Sequence, residues 1–111
     1  MKLLLENWRE YLKEYKERRF PEYGGTSLKY ISKKNPYINN GELYYEMHIG
    51  VDSDFQGQGV AGKIIMQFAD EARHPLFFGE ARIVNPNLIK VLERMESNPR
   101  VERVEWGWMI R

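Results

Sequence analysis

The sequence contains no cysteine and only two histidines, His48 and His74. Disulfide bonds and thiolate metal sites are thereby excluded, and a zinc site of usual composition is disfavoured. The net charge of +1 gives no indication of a nucleic-acid or anionic-membrane partner. No apolar run approaches the ~20 residues that span a bilayer, and the start does not resemble a signal peptide. We therefore expect a cytoplasmic protein without a metal.

The chain does contain enough apolar material for one core. Its 111 residues are 42% hydrophobic and 14% aromatic, without internal repeats or low-complexity segments. A chain of this length and composition is typical of a single globular domain, here residues 1–111.

Hydrophobic spacing in the first half predicts one helix followed by two strands. Apolar residues at helical spacing predict a helix over residues 2–19, which ends before Pro21. A short strand is predicted at 26–32. Strict alternation of apolar and polar residues predicts a half-buried strand over 42–51.

The second half begins with an amphipathic helix, predicted from Val60 to near His74. Residues 76–84 read as a strand with a possible bulge at Gly79. Asn85 is a good N-cap for the next helix, and the proline that follows it suits the first helical position.

Residues 101–111 predict one last strand, with Trp106 and Trp108 on the same face. The complete order predicts an α/β (α+β) sandwich. Aromatic residues on the last strand suggest an edge that needs cover, so we expect a homodimer.

The segment DFQGQGVAGKI, residues 54–64, fits three phosphate-binding patterns. Gly57, Gly59 and Gly62 match the G-x-G-x-x-G of dinucleotide folds, and Gly57 to Lys63 match most of a P-loop. The third pattern is the coenzyme A loop of acetyltransferases. All three place phosphate at a helix N-terminus, where unpaired N–H groups favour an anion.

Two of these patterns lack other requirements. A P-loop needs Ser or Thr after its lysine, and Ile64 stands there. A dinucleotide fold needs a strand that runs directly into the first glycine, whereas residues 52–56 intervene, and too few residues follow for two mononucleotide halves. A plain glycine-containing turn stays open as an interpretation.

The third pattern extends over more of the chain. The stretch GVDSDFQGQGVAGKIIMQFADEA closely resembles the central motif of the GNAT superfamily of N-acetyltransferases, in which a strand ends in valine before Gln/Arg-x-x-Gly-x-Gly/Ala. The matching residues are Val51, Phe55, Gln56, Gly59 and Ala61. Asn85 corresponds to the asparagine that starts the family's next helix. The resemblance covers residues 42–106 and implies a GNAT-like fold, with a mixed central sheet and helices on both faces.

This resemblance implies acetyl-CoA as cofactor. The backbone amides expected to hold its pyrophosphate belong to Gln58, Gly59, Val60, Ala61, Gly62 and Lys63, with Gly57 and Gln56 shaping the loop. The strand end at Ile49, Gly50 and Val51 would pair with the pantetheine arm, beside a bulge that splays two strands. Asn85 would contact the cofactor from the far side.

The implied reaction transfers an acetyl group to a primary amine of a small molecule or peptide. A base must take the proton of the attacking amine, and a backbone amide can stabilise the oxyanion. No covalent intermediate is needed, which suits a chain without cysteine. Glu46 and His48 are the base candidates, and Tyr45 lies in the same region.

The chain also departs from the family. Leu92 stands where a tyrosine often serves as general acid, and residues 96–100 replace a Gly-Phe pair. Family members usually have two helices and three strands before the loop and two strands at the end. The sequence predicts fewer at both ends, with residues 1–41 a reduced acceptor region. The alternative is therefore a catalytically inactive module that binds acetyl-CoA or another protein.

Overall fold

The computed structural model of the protein describes residues 15–111. Six strands and two α-helices lie within these residues, and short 3₁₀ turns connect several of them. In chain order they are β1 (Lys16–Arg19), β2 (Ser27–Lys33), β3 (Tyr44–Gly50), α1 (Val60–Glu71), β4 (Leu76–Gly79), α2 (Pro86–Met95), β5 (Val101–Val104) and β6 (Gly107–Ile110). Neither helix is long and apolar enough to cross a membrane.

All six strands form one sheet in the order β1-β2-β3-β4-β6-β5. Every neighbouring pair is antiparallel except β3 and β4, which run parallel. The predicted mixed sheet and α+β class are therefore confirmed. The parallel pair requires a crossover between its strands, and the loop after β3 together with α1 supplies it.

Both described helices pack into the same core. This core joins Ile64 of α1 and Leu92 of α2 to strand residues such as Met47, Leu76 and Trp108. The opposite face of the sheet carries a smaller apolar cluster of Tyr44, Phe77 and Met109. Within residues 15–111, the expectation of helices on both faces is therefore not met.

The predicted first helix is wrong where the structure tests it. Residues 2–14 of that prediction lie outside the described part, but Lys16–Arg19 forms strand β1 on the sheet edge. This segment, KERR, contributes no apolar residue to a helical stripe. Charged side chains are common on edge strands because they discourage further pairing.

The predicted last strand is in fact a hairpin. Strands β5 and β6 pair from Val101–Ile110 to Val104–Gly107. Trp106 lies in the turn and is 48% exposed, whereas Trp108 is buried in β6, between β4 and β5. Trp108 therefore does not lie at a sheet edge, and the homodimer stays a prediction.

Strand β4 is shorter than predicted and has no bulge. Its register against β6 is continuous up to the pair Gly79–Gly107, and a 3₁₀ turn follows at Glu80–Arg82. All of Leu76, Phe77 and Phe78 are buried. Such a continuous apolar run is typical of a strand that is covered on both faces. Helix α1 also ends slightly earlier than predicted, at Glu71.

Gly107→Ala is expected to lower the free energy of unfolding by about 2 kcal/mol, since overpacking in a close-packed interior forces the backbone to move. A Cβ atom at this position would overlap the carbonyl oxygen of Phe78. Gly50→Ala is the matched control, because no atom lies within 4 Å of its added Cβ. Urea denaturation of both variants measures the difference, and equal stabilities would contradict the predicted overlap.

Candidate functional site

The loop between β3 and α1 is fixed by its own polar side chains. The Gln56 amide donates to the carbonyl oxygen of Val51 at 3.2 Å, and the Gln58 amide donates to that of Asp54 at 3.0 Å. A 3₁₀ turn at Ser53–Phe55 lies between them. Gln56 thus holds the loop against the end of β3.

Asp52 ties this loop to the turn before β2. Its carboxylate accepts from the N–H groups of Gly25 at 2.7 Å and Asp54 at 3.0 Å. Its own N–H donates to the hydroxyl of Thr26, a buried residue, at 2.9 Å. The two accepted hydrogen bonds lower the pKa of Asp52, first through Gly25 and then through Asp54.

Asp52→Asn is expected to destabilise the fold at neutral pH but not in acid. A lowered folded-state pKa contributes stability above the unfolded value of about 3.8, and this stability is lost as the pH falls through the folded-state pKa. Urea denaturation should therefore show a lower free energy of unfolding for Asp52→Asn than for the unmodified protein at pH 7, and this difference should disappear below pH 3.8. A difference in free energy of unfolding that stays constant with pH would show that the ionised carboxylate does not stabilise the fold.

Two glycines give the loop its left-handed turns. Gly57 and Gly59 have φ angles of +79° and +72°, which other residues rarely adopt. Gly59 is the N-cap of α1, and no side chain caps this helix. No heavy atom lies within 4 Å of a Cβ built on either glycine. The first turn of α1 therefore retains backbone N–H groups that can bind an anion.

A cavity of about 330 Å³ opens between this loop, the end of β3 and α2. Its lining is mostly apolar, with side-chain amides and one cation. The lining residues are Ile49, Val51, Phe55, Gln56, Gly57, Gly59, Val60, Ala61, Asn85, Asn87, Leu88, Val91 and Arg94. We call this cavity the groove.

Comparison with known proteins does not assign a family. No family model, curated protein or solved structure matches the chain. The interpretation of the groove therefore depends on its geometry and on the chemistry of its residues.

The structure brings most of the predicted cofactor residues to the groove. Eight of them line it: Ile49, Val51, Gln56, Gly57, Gly59, Val60, Ala61 and Asn85. Gly50, Gln58, Gly62 and Lys63 are not among the lining residues. A Cβ on Gly62 would lie 4.0 Å from Val91 and 3.9 Å from Met95, so this glycine faces α2.

Sequence reasoning missed four lining residues on α2, namely Asn87, Leu88, Val91 and Arg94. Asn85 caps this helix as predicted, because its side chain accepts from the N–H of Asn87 at 2.9 Å. Only the packing of α2 against α1 shows that Leu88, Val91 and Arg94 face the groove.

Strands β3 and β4 separate beside the groove. They pair only at Tyr45–Leu76 and Glu46–Phe77. The Tyr45 N–H points towards β4 and donates to Pro75 O at 2.8 Å. Because backbone groups of a strand alternate in direction, those of Ile49, four residues later, point to the same side. On that side Ile49 has no strand partner within residues 15–111. Its N–H and C=O groups therefore border an open slot.

No β-bulge produces this separation. The register of β3 against β2 is continuous from Lys33–Tyr44 to Ser27–Gly50, so the expected bulge is absent. Strand β3 follows β2 over its whole length, while β4 follows β6. Because each strand twists with its fully paired neighbour, the two diverge after their short common segment.

On the other face of the sheet, Glu46 is the centre of a charged cluster. Its side chain is only 8% exposed. The carboxylate contacts the Lys33 ammonium at 2.6 Å and the Arg82 guanidinium at 2.9 Å. It also accepts from the Tyr15 hydroxyl at 3.1 Å. Burial of this carboxylate is therefore compensated by opposite charge and hydrogen bonding.

His48 lies beside this cluster and is half-buried. Its Nε2 lies 3.3 Å from the Tyr15 hydroxyl, and the two rings meet edge to face at 5.1 Å. Burial lowers the pKa of His48, and it outweighs the opposite effect of the Glu46 charge. Arg82, Lys33 and Lys29 lower this pKa further. His48 is therefore neutral at physiological pH.

The three catalytic candidates do not lie together. Glu46 and His48 share one face of β3, whereas alternation places Tyr45 on the other. Tyr45 packs there with Tyr30 and Phe68 in the main core. The structure therefore separates Tyr45 from the two base candidates.

Proposed function

We propose that the protein is a GNAT-fold N-acetyltransferase that transfers an acetyl group from acetyl-CoA to a primary amine of a small molecule or peptide. The observation that carries the proposal is the groove, which joins the glycine loop, the open end of β3 and the Asn85 cap in one cavity. These are the elements that the resemblance assigns to the cofactor.

The groove suits an extended ligand with an anionic end. The free N–H groups at the start of α1 would bind the pyrophosphate. The open backbone groups of Ile49 would pair with the pantetheine amides, as an added strand pairs with a sheet edge. The thioester would then lie in the slot between β3 and β4, where acceptor and donor can meet.

The number of strands supports the resemblance to GNAT proteins more strongly than the strands predicted from the sequence did. Within residues 15–111, three strands precede the loop and two follow α2. Both numbers are those that family members usually have, which supports the resemblance. The parallel pair that separates beside the glycine loop corresponds to the splayed strands of the family.

His48 is the residue best placed to act as base. If the Tyr15 hydroxyl donates to Glu46, its oxygen accepts from His48 Nε2–H. That tautomer leaves the lone pair on Nδ1, which can take a proton from the attacking amine, directly or through water. Glu46 is the weaker candidate, because its carboxylate already contacts Lys33 and Arg82. Its role is then to position Tyr15.

The transfer needs no covalent enzyme intermediate. The amine nitrogen attacks the thioester carbonyl carbon, and its proton passes to His48. The C–S bond breaks as the N-acetyl product forms, and the CoA thiolate takes a proton from the protonated base or from water. A backbone N–H in the slot can stabilise the oxyanion before that bond breaks.

One observation favours a non-catalytic CoA-binding module instead. Leu92, at the position of the family's usual tyrosine, is fully buried in the core. It therefore provides no hydroxyl to protonate the leaving thiolate. If solvent or His48 does not supply that proton, the groove would bind the cofactor without turnover.

Two measurements on the unmodified protein test these proposals. Calorimetry should detect saturable binding of acetyl-CoA, and a thiol-release assay over a panel of primary amines should detect turnover. Binding without release of CoA on any acceptor would favour the non-catalytic module. Absence of binding at millimolar acetyl-CoA would reject both.

A further inference from the structure

Among residues 15–111, Arg94 is the only charged residue that lines the groove. It belongs to the last turn of α2, outside the glycine loop. We propose that its guanidinium binds the diphosphate of the donor and so restricts the groove to diphosphate-bearing donors such as CoA esters. This inference rests on the proposed function and assigns its donor specificity to one side chain.

The packing of the two helices places Arg94 near the start of α1. A Cβ atom built on Gly62, in the first turn of α1, would lie 4.0 Å from its neighbour Val91 and 3.9 Å from its neighbour Met95. Arg94 also lines the same cavity as Gly57 and Gly59. The groove therefore presents a full positive charge next to free helix N–H groups, and both attract the same anion.

The charge of Arg94 is not used within the fold. Several other arginines form ion pairs: Arg18 with Glu71, Arg100 with Asp70, and Arg103 with Glu80. Arg94 forms none with any residue from 15 to 111. Lys63, the cation expected from the loop motif, does not line the groove. A planar guanidinium can bind two phosphate oxygens at once, which suits a diphosphate.

Binding of three ligands to Arg94→Gln tests this role: CoA, 3′-dephospho-CoA, which keeps the diphosphate, and pantetheine, which has no phosphate. Loss of a charged hydrogen-bond donor should weaken the first two by about 10- to 100-fold. Affinity for pantetheine should not change. Lys90→Gln removes the same charge one turn away, outside the groove lining, and should leave all three affinities within about twofold.

Each other outcome overturns a defined claim. Equal weakening for pantetheine would show that Arg94 only shapes the groove. A loss with CoA but not with 3′-dephospho-CoA would assign Arg94 to the 3′-phosphate instead of the diphosphate. If the unmodified protein binds CoA and Arg94→Gln binds it equally well, this inference fails while the proposed function stands. If the unmodified protein binds none of the ligands, the proposed function fails as well.

Discussion

Gly59→Asp is expected to weaken acetyl-CoA binding on the order of 1,000-fold, because a carboxylate at the start of α1 would oppose the bound phosphates. Like charges about 4 Å apart repel by about 4 kcal/mol at the effective dielectric of a protein surface. The fold should survive, since no heavy atom lies within 4 Å of the added Cβ. Aspartate also tolerates left-handed backbone better than most residues.

Gly59→Asn is the matched control for this charge. Asparagine has nearly the same shape and a similar tolerance of the φ angle of +72° at Gly59. The affinity of Gly59→Asn for acetyl-CoA should therefore fall much less than that of Gly59→Asp. Calorimetry with acetyl-CoA and thermal unfolding of both variants make the comparison. Equal affinities would indicate that the phosphates bind elsewhere, and the loop would then be only a turn.

His48→Gln is expected to lower kcat by about 1,000-fold, within the usual range for loss of a general base. The KM for acetyl-CoA should change little, because His48 does not line the groove. If His48 is the base, its neutral imidazole is the active form in the unmodified protein. Since burial lowers its pKa, kcat should stay constant to below pH 6.5 and fall only when the pH drops through the lowered pKa.

His74→Gln is the control for this profile. The second histidine packs edge to face against Tyr45 at 5.2 Å and does not line the groove. The rate of thiol release, measured from pH 5 to 9, should therefore fall at the same low pH in His74→Gln and in the unmodified protein. If the rate of thiol release by His48→Gln still falls at the same low pH, the titration belongs to another group.

The glycine loop was predictable because its residues act locally. Gln56 binds the chain five residues before it, and Gly59 caps the helix that follows it. Asn85 was predictable for the same reason, since an Asn-Pro start specifies its own helix. Such features depend on neighbours in sequence, so a sequence can show them.

The missed features depend on contacts between distant segments. Arg94 reads as a solvated helix residue until α2 packs beside α1. The β5–β6 hairpin was hidden because its turn contains Glu105 and Trp106, without the glycine or asparagine that marks a turn. The two-residue turn also places Val104 and Trp108 on opposite faces of the sheet, although their even spacing in the sequence suggests one face. Strand β1 carries only charges, so no apolar period shows it.

The short contact between β3 and β4 divides the sheet into two three-stranded leaves. One leaf comes from residues 16–50 and the other from residues 76–110, and each is fully antiparallel. Within residues 15–111, two register pairs form the only strand pairing between them. A ligand in the groove would contact β3 of the first leaf and helix α2, which connects β4 to β5 in the second. A bound ligand would therefore link the two leaves and make the occupied protein more rigid than the empty one.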